Sequence, residues 1–184
     1  MGFADGENLV ARYQAMLAEG FVPRDDMSHI PDSLVWNPAF THLAVFHEIL
    51  RVTYYTSVAG DETRVALVKQ QIRSLTFVKH PTSTLPNSLT PFVIKKDAGT
   101  RRSKGVDIQL CVDVLTHVYR RNVDAILLLT GDGDYAPLID EVHRNGVQVF
   151  LSAFSSGLSP QLRDRVDALY ELDGTTWTST PSRA

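Results

Sequence analysis

From Lys104 to Leu151 the chain reads KGVDIQLCVDVLTHVYRRNVDAILLLTGDGDYAPLIDEVHRNGVQVFL, and its hydrophobic pattern changes period several times within that span. A helical pattern gives way to the short, uninterrupted apolar run Ala125 to Leu129. A turn with Asp132 and Asp134 follows, then a second helical stretch and a second apolar run. Short apolar runs alternating with helices are how strands buried on both faces of a parallel sheet read. The connections of such a sheet are right-handed helical crossovers, so the chain is confined to a doubly wound α/β architecture. Open parallel sheets place ligands beyond the C-terminal ends of their strands, which is where Asp132 and Asp134 fall. Asp5 repeats the context, following the short apolar start Met1 to Ala4 and preceding Gly6. Three acids at strand ends suggest a divalent metal.

A fourth acid lies on the intervening helix. Projecting residues 107–120 at 100° per residue puts Ile108, Leu110, Cys111, Val112, Val114, Leu115, Val118 and Tyr119 on one broad face. Gln109, Asp113, Thr116, His117 and Arg120 take the other. Asp107 falls within the apolar arc at the helix start, where a carboxylate is costly unless a cation, metal or donor set neutralises it. A helix in a β-α unit begins above the C-terminal sheet edge, so the expectation is that Asp5, Asp107, Asp132 and Asp134 converge.

The remaining elements follow from the same rules. Asn8 to Glu19 reads as a helix stopped by Gly20. Gly20 to Pro38, with three prolines, reads as an irregular excursion and a candidate lid. Ala39 to Leu50 is expected as helix, Arg51 to Val58 as strand, Glu62 to Leu75 as helix and Pro91 to Lys95 as strand. After the central elements, Ser159 and Pro160 suit the start of a helix carrying Leu162, Val166 and Leu169. Residues 1–173 form one expected domain, and 174–184 a frayed, flexible tail.

At 184 residues the chain is long enough for one α/β core, and 43% hydrophobic with 21% charged residues is the composition of a globular protein. No apolar run approaches the roughly 20 residues a membrane helix needs. The single Cys111 forms no internal disulfide, and no leader pattern opens the chain, so a cytoplasmic location is expected. The net charge of −3 is not the footprint of a nucleic-acid binder, but its distribution matters. Lys95, Lys96, Arg101, Arg102 and Lys104 face only Asp97 in a ten-residue stretch before Asp107. A basic rim beside an acidic centre suits a metal-dependent enzyme acting on a polyanion.

Three strings in order carry a family resemblance: FADGEN at Phe3 to Asn8, KGVD at Lys104 to Asp107, and TGDGDYAPL at Thr130 to Leu138. Together they resemble the NYN domains of the PIN-like nuclease superfamily, in the bacterial LabA-like branch, over about residues 3–173. The resemblance implies a three-layer α/β/α fold with a central, mostly parallel sheet. It also implies an acidic quartet that binds Mg²⁺ or Mn²⁺ and hydrolyses phosphodiesters, mostly in RNA. Carried over by motif, Asp5, Asp107, Asp132 and Asp134 are the metal ligands, and Asn8 orients substrate or a metal-bound water. Lys104, Arg101, Arg102 and Thr130 are the expected substrate contacts. Asp113 also fits the family string, but its place on the polar helix face puts it outside the ligand set. Single-stranded RNA is the expected partner and a homodimer the expected assembly. Family members usually begin with a longer first strand than Met1 to Ala4.

The chemistry is consistent with that reading. Carboxylate clusters suit hard Mg²⁺ or Mn²⁺, whereas zinc favours His and Cys, and the six histidines here are scattered. Metal-assisted hydrolysis needs no side-chain nucleophile, and no Gly-x-Ser-x-Gly elbow is present. Each acid alone has a plainer reading: Asp134 as a helix cap, Asp5 and Asp132 as turn residues before glycine, Asp107 as a helix-dipole partner. Gly131-Asp132-Gly133 is not a dinucleotide fingerprint, because Ala136 replaces its third glycine. A haloacid-dehalogenase-like phosphatase would need Asp where Glu7 stands. The alternative function is a non-catalytic RNA- or protein-binding regulatory module that retains the acidic pocket.

Overall fold

The computed structural model describes residues 1–96 and 104–179. In chain order the elements are β1 (Gly2–Asp5), α1 (Gly6–Ala18), β2 (Val22–Pro23), β3 (Ser28–Ile30), β4 (Leu34–Trp36), β5 (Val52–Ala59), α2 (Glu62–Ser74) and β6 (Thr90–Lys96). They continue with α3 (Lys104–Tyr119), β7 (Ala125–Leu129), α4 (Ala136–Arg144), β8 (Gln148–Ala153), α5 (Pro160–Arg163), β9 (Ala168–Glu171), α6 (Asp173–Thr176) and β10 (Trp177–Ser179). The main sheet has six strands in the order β6-β5-β1-β7-β8-β9, all parallel. The chain winds outward from β1 through β5 to β6, then returns to β7 and winds the other way. The strand order therefore reverses between β1 and β7, the crevice where doubly wound sheets bind ligands.

The alternation of side chains along each strand splits the interior into two layers. Ala4, Tyr54, Leu127 and Leu129 face a core closed by Leu9, Tyr13 and Met16 of α1 and by Val65, Val68 and Ile72 of α2. Phe3, Tyr55, Ile126 and Leu128 face the opposite core, closed by Val106, Leu110, Val114 and Val118 of α3 and Leu138, Ile139 and Val142 of α4. This is the three-layer α/β/α arrangement. β1 is only four residues long, but it pairs on both sides, with Val52 to Tyr55 and with Leu127 to Leu129. Its entry is further fixed by Leu127 N donating to Met1 O at 2.8 Å. Gly6 lets α1 start hard against β5: a Cβ there would overlap the Tyr54 ring and stand 2.7 Å from Tyr55 O.

Several expectations are corrected. The Gly20 to Pro38 excursion contains the β3–β4 hairpin, and Leu34, Val35 and Trp36 are core residues rather than part of a lid. Ala39 to Leu50 is not an α-helix but a 3-10 segment, Pro38–Val45, broken at Thr41 and not extending to Leu50. Leu162, Val166 and Leu169 do not share one helix. α5 stops at Arg163, and Asp167 docks on β8, its N–H donating to Val149 O at 2.9 Å and its carboxylate accepting Val149 N at 2.7 Å. Local periodicity thus yields to β9 pairing. The expected frayed tail is structured as far as Ser179: β10 pairs with β2, and buried Trp177 stacks on Tyr13 with centroids 5.0 Å apart.

The projection of α3 is also corrected. Ile108, Val112 and Tyr119 are 63%, 49% and 57% exposed, while the buried stripe is Val106, Leu110, Val114 and Val118. Apolar residues cover more than half of this helix's circumference, so apolarity alone does not fix which stripe meets the sheet. Asp113, expected on the solvent face, is half-buried and accepts the Tyr55 hydroxyl at 2.7 Å and Gln109 Nε2 at 2.8 Å.

Candidate functional site

Asp5 ends β1 and begins the site. A strand that stops under a helix leaves that helix's first N–H groups without partners, and a carboxylate at the junction satisfies one of them. Asp5 does so, its Oδ1 accepting Asn8 N at 3.0 Å. Its Oδ2 accepts the Thr130 hydroxyl at 2.9 Å, across the β1–β7 crevice. Asp5 is only 2% exposed. Burial, and then the carboxylates of Asp107 and Asp132, push its carboxyl up to about 7. Its partners are neutral donors, and no basic side chain pairs with it among the described residues.

The neighbouring turn is tied to the same residues. Asn8 Oδ1 accepts Gly131 N at 2.9 Å, and Thr130 Oγ1 accepts Asp132 N at 3.2 Å. Asp132 then caps the 3-10 turn Gly133–Tyr135, its Oδ1 accepting Asp134 N at 3.1 Å. On α3, half-buried Asp107 accepts the hydroxyl of buried Tyr135 at 3.2 Å. Asp107 and the β7 turn are thereby linked by a side chain from the turn itself.

The structure thus brings Asp5, Asp107 and Asp132 into electrostatic contact at the switch point. Asp134 is exposed, and the carboxylates acting on Asp5 are those of Asp107 and Asp132. Thr130, expected as a substrate contact, is 1% exposed and turns its hydroxyl to the acids. Asn8 is also buried, with its carboxamide oxygen committed to Gly131. Arg101 and Arg102 lie outside the described residues. Lys104 opens α3, and its side chain lies outside what is described. Sequence reasoning missed Tyr135, whose signal was its place directly after the acids in the turn. It also missed the loop after β8, where Ser159 N donates to Gly131 O at 3.0 Å and the Ser159 hydroxyl would meet a Cβ at Gly133 at 2.6 Å. The glycines of the turn were that signal: they admit a second backbone.

An all-oxygen donor set around a buried, uncompensated carboxylate has the chemistry of a hard-cation site. Among the described residues, no three His, Cys, Asp or Glu side chains stand close enough to hold one ion together. A hard cation there would meet one or two carboxylates directly and complete its shell with water, not sit in a closed protein cage. An apolar cavity lined by Met1, Leu43, His47, Ile49, Ala125 and Phe150 lies around the starts of β1 and β7, at the other sheet edge from the acids. The site is marked by its charge and by its place in the sheet.

The described helices include none long and apolar enough to cross a membrane. Among solved structures, a protein of unknown function from Vibrio parahaemolyticus, VPA0982, is similar in fold, with a TM-score of 0.60 and 17% identity over 96% of this chain and 93% of that one. No curated protein sequence matches. The NYN domain model matches residues 3–173, a span containing Asp5, Asp107 and the turn after β7. With nearly its whole length matched, the chain belongs to the NYN domain family of the PIN-like nuclease superfamily.

Proposed function

We propose that the chain is a metal-dependent ribonuclease that hydrolyses phosphodiester bonds of single-stranded RNA. The observation that carries this reading is the trio Asp5, Asp107 and Asp132 at the β1–β7 switch point, where Asp5 is buried with no basic partner among the described residues. One or two of Asp5, Asp107 and Asp132 would hold Mg²⁺ or Mn²⁺ directly, with the remaining carboxylates and Asp134, from the exposed side of the turn, meeting the ion through its waters. Such an ion polarises the phosphate and lowers the pKa of bound water. Thr130 fixes the rotamer of Asp5 and, through Asp132 N, the height of the turn. Asn8 locks α1 to Gly131, and Tyr135 orients Asp107. Lys104, Arg101 and Arg102 are proposed to meet the phosphate backbone. Membership of the LabA-like branch, action in the cytoplasm and assembly as a homodimer belong to the same proposal.

The alternative, a non-catalytic RNA- or protein-binding module, has one observation in its favour: no three acids stand together as a ready-made ion site among the described residues. Incubating purified protein with labelled single-stranded RNA in Mg²⁺, Mn²⁺ or EDTA separates the two. Products that need metal and vanish in EDTA are expected. RNA binding that is salt-sensitive but indifferent to metal and EDTA, with no products, would establish the module instead.

A further inference from the structure

Arg12 lies one helical turn beyond Asn8 on α1, and side chains on a helix lean back toward its N-terminus. Its guanidinium accordingly reaches toward the sheet edge that carries the acids. It rests on Gly157 in the loop after β8, so closely that a Cβ at that position would overlap it. Gly157, with φ +74°, provides that space. The same glycine's carbonyl would stand 3.0 Å from a Cβ on Gly131, so its backbone touches the turn bearing Asp132. Arg12 is thus separated from the acidic turn by a single backbone layer.

The guanidinium has no ion-pair or hydrogen-bond partner among the described residues, and its buried Nε is unsatisfied. A half-buried cation left without an acceptor is costly, and the cost is recovered when an anion completes it. No carboxylate among the described residues does so. A planar fork of N–H donors is the group best matched to a phosphodiester's two free oxygens. We propose that Arg12, framed by the Gly157 turn, is a binding position for a backbone phosphate of the RNA strand, on the β8 side of the acidic centre. β6, which ends at Lys95 and Lys96, lies on the opposite side of β1 in the sheet from β8, so the strand would be held on both flanks of the site. This inference rests on the nuclease reading for the nature of the strand.

The test is equilibrium binding of a fluorescent single-stranded RNA oligonucleotide in EDTA, over a range of salt, by wild type and Arg12→Gln. Loss of one phosphate contact to a single strand lowers the salt slope by about 0.7. Affinity is expected to fall about tenfold, with thermal stability unchanged or raised because an unpaired charge has gone. An unchanged Kd and slope would overturn the inference. Phenylglyoxal modification of the wild type, mapped by mass spectrometry, tests the same contact without a variant. RNA is expected to protect Arg12 several-fold, and equal labelling with and without RNA would overturn it. RNA cleavage by wild type with Arg12→Gln binding as tightly would sink this inference alone. Arg12-dependent binding without cleavage in either metal would sink the nuclease reading alone.

Discussion

Replacing Asp5 by Asn probes the buried acid directly, because the two side chains have the same shape and cap a helix equally well. Asn retains the acceptor for Asn8 N, and the Thr130 hydroxyl can turn to accept from the new amide. What disappears is the charge. Asp5 holds its proton to about pH 7 in the fold against an ordinary 3.8, so the folded state binds the extra proton between those values. Stability therefore falls as pH rises from about 4 to 7, and the full penalty is present above 7. At about 1.4 kcal/mol per pH unit the interval corresponds to about 4 kcal/mol as an upper bound. If side-chain and water relaxation recover half, about 2 kcal/mol remains, which in a chain of this size raises Tm by about 4–8 °C. Thermal unfolding in EDTA should show Asp5→Asn more stable than wild type at pH 8, with the gap closing toward pH 4. Added Mn²⁺ should reverse the order by stabilising only the wild type. A variant less stable than wild type at pH 8, or a difference flat in pH, would show that Asp5 carries no buried-charge penalty.

Gly6→Ala drives a methyl group into the Tyr54 ring and toward Tyr55 O, so urea unfolding should show a loss of about 1–3 kcal/mol. Tyr135→Phe removes only the hydroxyl that holds Asp107, and calorimetric titration with Mn²⁺ should show affinity falling at least about tenfold while Tm is preserved. Asp113→Asn weakens the bond from the Tyr55 hydroxyl and should cost about 1 kcal/mol of stability in urea without changing RNA cleavage. Cleavage lost in Asp113→Asn with the fold intact would move that residue into the site.

The parts of this molecule legible in its sequence are those whose pattern has one physical solution. The run Ala125 to Leu129 has no polar face and, at 5 residues, is too short for a buried helix, so a strand covered on both sides accommodates it, and β7 follows. Glycine and acid placement after that strand located the turn. What was not legible depended on partners distant in the chain. β9 exists because Asp167 and its neighbours dock on β8, although Leu162, Val166 and Leu169 keep helical spacing. Trp177 is buried because Tyr13 and β2 receive it, in a segment whose composition reads as a loose end. The α3 projection failed because Ile108 and Val112 are as apolar as Leu110 and Val114. Thr130 read as a substrate contact from its place in the string, yet the crossing from β7 to β1 turns its hydroxyl inward. Arg12 gave no signal, since its role arises from a glycine 145 positions away.

Cleavage of RNA at the acids of the β1–β7 crevice should depend on Asp132. The most direct test is incubation of 5′-labelled single-stranded RNA with wild type and Asp132→Asn, each in Mn²⁺, Mg²⁺ or EDTA. Asn at this position still accepts Asp134 N, so the turn and the unfolding temperature should be retained. Metal-dependent products from wild type that are absent in the variant are predicted. Equal cleavage by the folded variant, or none by wild type in either metal, would rule out a nuclease centre at these acids.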